Sequence, residues 1–199
     1  GKEVVISTGG ATWSQILFAA GHVELATFMH CTSAYPTRIE DTNLLAMESL
    51  KKLGETGYSD HTMFNTVVPA MAVALGVSVY EKHFTMDKDA DGPDHAFALD
   101  PRELKATINT VRAAQIALGN GIKRPQRSEM GLIDFAHRHI QAIADIQRGD
   151  TLILNKNYAV LRPGNNEPGA QARFAYYMHG KLCGKNVATG QGIQLEDVK

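Results

Sequence analysis

The feature that most constrains this chain is an alternation. A short apolar run followed by a helical pattern occurs four times before residue 119, at roughly twenty-five residues per unit. Val4–Thr8 is a buried-strand run stopped by Gly9-Gly10, and Thr12 is placed to cap a helix through Ala20. Ala26–His30 reads as the second strand, and Pro36 turns the chain. Leu44, Leu45, Met47, Leu50 and Leu53 then recur at helical spacing, predicting a helix from about Glu40. The third unit is Gly57–His61 and a helix over 65–75, with Pro69 in its first turn. The fourth is Val77–Phe84 and a helix capped by Asp100 and running to Leu118. Such units make parallel strands with right-handed crossovers. The expected fold class is α/β: the C-terminal half of a (β/α)8 TIM barrel, or, on pattern alone, an open four-stranded parallel sheet.

In barrels of this kind the chemistry stands at the carboxyl ends of the strands. Two strand ends here carry it, Gly57-Tyr58-Ser59-Asp60-His61-Thr62 and Tyr80-Glu81-Lys82-His83-Phe84. Residues two apart in a strand share a face, so Ser59 goes with His61 and Glu81 with His83. If the strands are neighbours, the two imidazoles converge. With a carboxylate and a hydroxyl beside them they suit a divalent metal site with open positions. Glu81 can orient a metal-bound water or a ligand histidine, or make a salt bridge inside a barrel. Asp60 alternates away from His61 and is expected to hold the turn. Lys82 alternates away as well.

Residues 121–134 carry Gly, Pro and Arg and read as a linker. From 135 to 199 short β-type segments separated by tight turns predict a small β-rich module. A net charge of −1 without a Lys/Arg cluster excludes a nucleic-acid partner, and no apolar run is long enough for a membrane span. Cys31 and Cys183 sit outside any motif, as reduced thiols of a cytoplasmic protein do. The chain opens on Gly1 and goes directly into a strand, so a start within a longer protein is expected. Phe135 is expected to be a core contact, and His95, His137, His139 and His179 structural or at the surface.

Five ordered motifs resemble the sialic acid (N-acetylneuraminate) synthase family. They are Ser7-Thr8-Gly9, His30 to Pro36, Tyr58 to Thr62, Glu81 to Thr85 and Gly92-Pro93-Asp94-His95. The tail, with Asp145 to Gly149 and Leu161 to Asn165, is similar to the antifreeze-like (SAF) domain of those enzymes. The resemblance implies strands five to eight of a barrel over 1–120 and a SAF domain over 135–199. It implies condensation of phosphoenolpyruvate with an open-chain N-acyl mannosamine-type sugar, giving a nine-carbon 2-keto sugar acid and phosphate. His61 and His83 match the metal-binding histidines, with Mn2+ or Mg2+ as the cofactor. Ser33, Tyr35, Ser59 and Asp94 match substrate-binding positions. Arg162 matches the SAF arginine that reaches into a partner's barrel in a domain-swapped homodimer. The family's phosphoenolpyruvate-binding lysines and further acidic residues belong to the first half of the barrel. A chain with only the second half is therefore expected to be inactive alone. Two departures stand out: Ser33 where many members carry Asn, and a short first helix. A non-catalytic metal- or carbohydrate-binding remnant of the family is the alternative.

Overall fold

A computed structural model describes residues 2–199, apart from the side chains of Asp134 and Phe135. The chain divides into two compact units, 1–121 and 122–199.

In the first unit four parallel strands pair in chain order: β1 (Val4–Ser7), β2 (Ala26–Cys31), β3 (Glu55–Asp60) and β4 (Val79–Lys82). Between and after them lie α1 (Trp13–Ala20), α2 (Met47–Leu50), α3 (Val67–Ala74) and α4 (Pro101–Leu118). The result is a half-barrel sheet of four βα units. Strand alternation divides it into two faces. Phe28 and Tyr58 point to the helices, where Phe28 packs with Ile16 and Leu50, and Tyr58 with Met47, Val68 and Ala72. The opposite face carries Met29, Gly57 and Val79 in one register row, and Cys31, Ser59 and Glu81 in the next. Gly57 is required there: a Cβ on it would fall 2.1 Å from the Met29 sulfur and 3.0 Å from the Val79 carbonyl oxygen.

The helix expected from Glu40 to Leu53 is broken instead into two 3-10 turns, Ile39–Asp41 and Leu44–Ala46, and the single turn of α2. Asn43 adopts a left-handed conformation (φ 40°, ψ 49°), which a continuous helix cannot contain. The Thr42 carbonyl before it is held by His30 Nε2 at 2.8 Å. α4 follows its caps: Asp100 accepts the Glu103 N–H at 2.7 Å, and the Glu103 carboxylate accepts the Asp100 N–H at 3.0 Å. It lies along α3, and its Thr107 hydroxyl donates back to the Glu103 carbonyl one turn earlier in the same helix, at 3.0 Å.

The second unit begins with residues 122–126, which carry no regular structure. A 3-10 turn at Arg127–Glu129 leads into α5 (Met130–Ala136). β5 (His139–Ala142) and β6 (Tyr158–Leu161) pair antiparallel, and isolated bridges at Ile146, Thr151 and Cys183 extend the β character. A 3-10 turn at Ala172–Phe174 leads into α6 (Ala175–Met178). Ile140, Ile146, Leu152, Tyr158, Met178, Val187 and Ile193 form a core of their own. The Tyr158 hydroxyl is satisfied by the Ala175 carbonyl at 2.6 Å. Both cysteines are free and buried, and among the described residues no helix is long and apolar enough to cross a membrane.

Gly57→Ala is expected to lower stability by about 1–3 kcal/mol through overpacking against Met29. Thermal unfolding measures it, and an unchanged midpoint would show that the row has slack.

Candidate metal centre

The β3–β4 ladder pairs Ser59 with Glu81 and ends on Asp60 and Lys82. His61 and His83 follow immediately. Their ring centres are 5.2 Å apart, with planes at 83°.

His61 is buried and held from β2's side. Its carbonyl accepts the Thr37 N–H at 2.8 Å, and its Nδ1 lies 2.8 Å from the Thr32 carbonyl. A carbonyl only accepts, so Nδ1 carries the proton and Nε2 of the neutral ring is left with its lone pair. Nε2 is 3.2 Å from Ser59 Oγ, whose single proton goes to Glu81 Oε1 at 2.7 Å. In the neutral ring, then, Nε2 faces an oxygen with no hydrogen between them. A positive ion relieves that contact. A ring N–H given to a backbone carbonyl is also the usual arrangement behind a metal-bound histidine.

His83 is positioned from the other side. Its carbonyl accepts the Leu99 N–H, and the Thr85 N–H reaches the Leu99 carbonyl, both at 2.9 Å. These bonds close the loop between β4 and α4 at its base and return Asp94 and Phe97 onto the ring. Asp94 Oδ2 lies 3.4 Å from His83 Nδ1, and the Phe97 ring centre lies 5.1 Å from that of His83. Tyr35, half exposed, stands over both histidines, with ring centres 4.3 Å from His61 and 5.7 Å from His83.

The donor set fits one divalent ion. With metal–nitrogen bonds of about 2.1 Å, two imidazoles on one ion can have ring centres at the observed separation. Among the described residues, no group of three or more His, Cys, Asp or Glu is placed to hold a metal.

Behind the site, on the helix-facing side, Asp60 and Lys82 form a buried ion pair, Nζ to Oδ2 3.0 Å. The Tyr80 hydroxyl donates to the same Oδ2, Lys82 also donates to the Thr62 carbonyl, and the Thr62 N–H reaches Asp60 Oδ1 at 2.8 Å. Asp60 therefore does hold the turn, but as one member of a larger network. Burial pushes the Lys82 ammonium below the usual lysine range, against the pull of the Asp60 carboxylate. Burial first, and Asp60 second, push the Tyr80 and Tyr58 phenols up, so both stay protonated.

The structure thus brings His61, His83, Glu81, Ser59, Tyr35 and Asp94 together. Ser33 lies exposed at the end of β2, against Gly9: a Cβ on Gly9 would fall 2.4 Å from its Oγ. Arg162 belongs to the second unit, where it is exposed at the end of β6 with no hydrogen bond or ion pair among the described residues. His95, His139 and His179 each hold local structure through Thr85, the Gly169 carbonyl and the Leu154 N–H. The Phe135 side chain lies outside the described residues. Sequence reasoning missed Phe97 and the Thr32–Thr37 clasp. The apolar run Phe97-Ala98-Leu99, just before a helix cap, was the available signal for the first.

Functional groups gathered at the carboxyl ends of parallel strands mark the α/β proteins, barrels and open sheets alike. Within that class the chain belongs to the NeuB family, whose model matches residues 1–123, and so to the sialic acid synthase family. It is 38% identical over 195 residues to an N,N'-diacetyllegionaminic acid synthase of Campylobacter jejuni, covering 93% of this chain and 57% of that protein. It is 36% identical to a pseudaminic acid synthase of Campylobacter jejuni, covering 100% and 58%. Among solved structures, the spore coat polysaccharide biosynthesis protein spsE of Bacillus subtilis matches with a TM-score of 0.57 at 32% identity, over 100% of this chain and 61% of that one. The chain spans about half the length of the curated relatives it matches.

The hydrogen-bond account predicts that neutral His61 is the Nδ1–H tautomer. Long-range 1H–15N spectra of the imidazoles should show an unprotonated Nε2 that shifts when Mg2+ is added. A proton found on Nε2 of the neutral ring would contradict the assignment.

Proposed function

We propose that this chain is part of an N-acetylneuraminate-type synthase. The enzyme would condense phosphoenolpyruvate with an open-chain N-acyl mannosamine-type sugar and release phosphate. The supporting observation is the paired histidines, 5.2 Å apart at adjacent strand ends in a member of the NeuB family, with His61 Nε2 left as an acceptor.

In this reading His61 and His83 hold Mn2+ or Mg2+, which supplies Lewis acidity toward the sugar aldehyde. The C3 carbon of phosphoenolpyruvate forms the new C–C bond to the aldehyde carbon. Water adds at C2, and the C–O bond to phosphate breaks. Ser59 fixes the Glu81 carboxylate beside His61, where Glu81 can orient water or receive its proton. Tyr35 and Asp94, at the open side of the histidines, contact sugar hydroxyls, and Ser33 is a donor for phosphate or carboxylate oxygens; Ser59 would donate to such an oxygen only by giving up its bond to Glu81. Serine is shorter than asparagine, so the contact at position 33 reaches less far than in relatives with the longer side chain.

The second unit is read as a SAF domain. Its exposed Arg162, next to the Pro163–Asn166 turn, would contact the N-acyl end of a sugar in the barrel of a second subunit of a domain-swapped homodimer. The protein is read as cytoplasmic. The described sheet ends at β1 and β4 without closing, so turnover is expected only with the strands that complete a barrel.

The test is a coupled phosphate-release assay on the full-length protein across several N-acyl hexosamines, with and without Mn2+. His61→Ala or His83→Ala should each lower turnover by about 10²-fold or more. Arg162→Ala should act mainly through the sugar KM. Metal-independent turnover that survives loss of both histidines would refute the reading.

A further inference from the structure

We infer that the buried cluster of Tyr80, Asp60 and Lys82, on the helix-facing side of β3 and β4, is the positioning device that sets the separation of His61 and His83. This rests on the reading of those histidines as metal ligands.

Regular pairing between β3 and β4 stops at Asp60 and Lys82. His61 and His83 lie one residue past that point, where backbone pairing between the two strands no longer fixes the distance between them. The cluster continues the connection by side chains. Lys82 spans from β4 to the Asp60 carboxylate, at 3.0 Å, and donates to the Thr62 carbonyl beyond it. Asp60 and Thr62 flank His61 in the chain, and Lys82 directly precedes His83. Asp60 Oδ1 closes onto the Thr62 N–H at 2.8 Å, so the backbone on both sides of His61 is tied to one carboxylate. The Tyr80 hydroxyl fills the remaining position on Oδ2.

The burial of the cluster argues that it is more than a surface ion pair. The side chains of Asp60 and Lys82 are 0% and 4% exposed, and such charges persist in a core only when fully partnered. An apolar pair would fill the same volume at no cost in desolvation. What it would lose is the directional link to the Thr62 backbone, and with it the register of the two imidazoles. Tyr80, Asp60 and Lys82 face away from the open side of the sheet, so they act on the site through His61 and His83 and touch no substrate.

The experiment uses the full-length protein and reads Mn2+ binding by the electron paramagnetic resonance of free Mn2+, with thermal unfolding alongside. The double variant Asp60→Asn/Lys82→Met leaves no unpaired buried charge. It is expected to bind Mn2+ about tenfold or more weakly than wild type. Ile16→Ala, a core change on α1 against Phe28 and away from the cluster, is the stability control and should keep Mn2+ affinity within about twofold at a comparable loss of melting temperature. A folded double variant that binds Mn2+ as wild type does would overturn the inference. Should the double variant not fold, Tyr80→Phe decides the matter: weaker Mn2+ binding than the Ile16→Ala control supports the cluster's role, and equal binding overturns it. A wild-type protein that takes up no Mn2+, or a His61→Ala/His83→Ala variant that binds it undiminished, removes the metal reading itself, and this outcome is distinct from the others.

Discussion

Parallel pairing of β3 with β4 is the constraint from which the site follows. The register sets Ser59 beside Glu81 and Asp60 beside Lys82. Because side chains alternate, one row faces the open side and the next faces the helices. A slip of one residue would send the histidines under α3 and α4 and bring the ion pair to the open face. The register is held by packing on the helix side, where Tyr58 is locked among Met47, Val68 and Ala72. It is held on the other side by Gly57, whose missing side chain admits Met29.

The two faces differ in how their polar groups are satisfied. On the helix side each hydrogen-bonding group of the Asp60 network finds a partner within the chain. On the open side the account falls short by one proton, shared among Glu81, Ser59 and His61. The metal reading proposed above draws on this one unfilled ring nitrogen.

Much of this was legible in the sequence because it rests on periodicity. Strand alternation separated Ser59, Glu81 and the histidines from Asp60 and Lys82, and caps and proline located α4 and α3. The broken helix after β2 was not legible. Its apolar spacing is helical, and the left-handed Asn43 and the His30–Thr42 bond arise from tertiary contact. Phe97 was missed for the same reason. It is near in space to His83 only because a loop of more than a dozen residues is pinned at its base by Leu99. The boundary before residue 135 was drawn by composition, which cannot see that Met130–Ala136 forms a helix.

Tyr35 carries a consequence for traffic through the centre. Its ring sits against both imidazoles, and its segment of backbone is anchored on the His61 carbonyl by Thr37. A ligand reaching the histidine pair from that side would meet the face of this one aromatic ring before it met either imidazole.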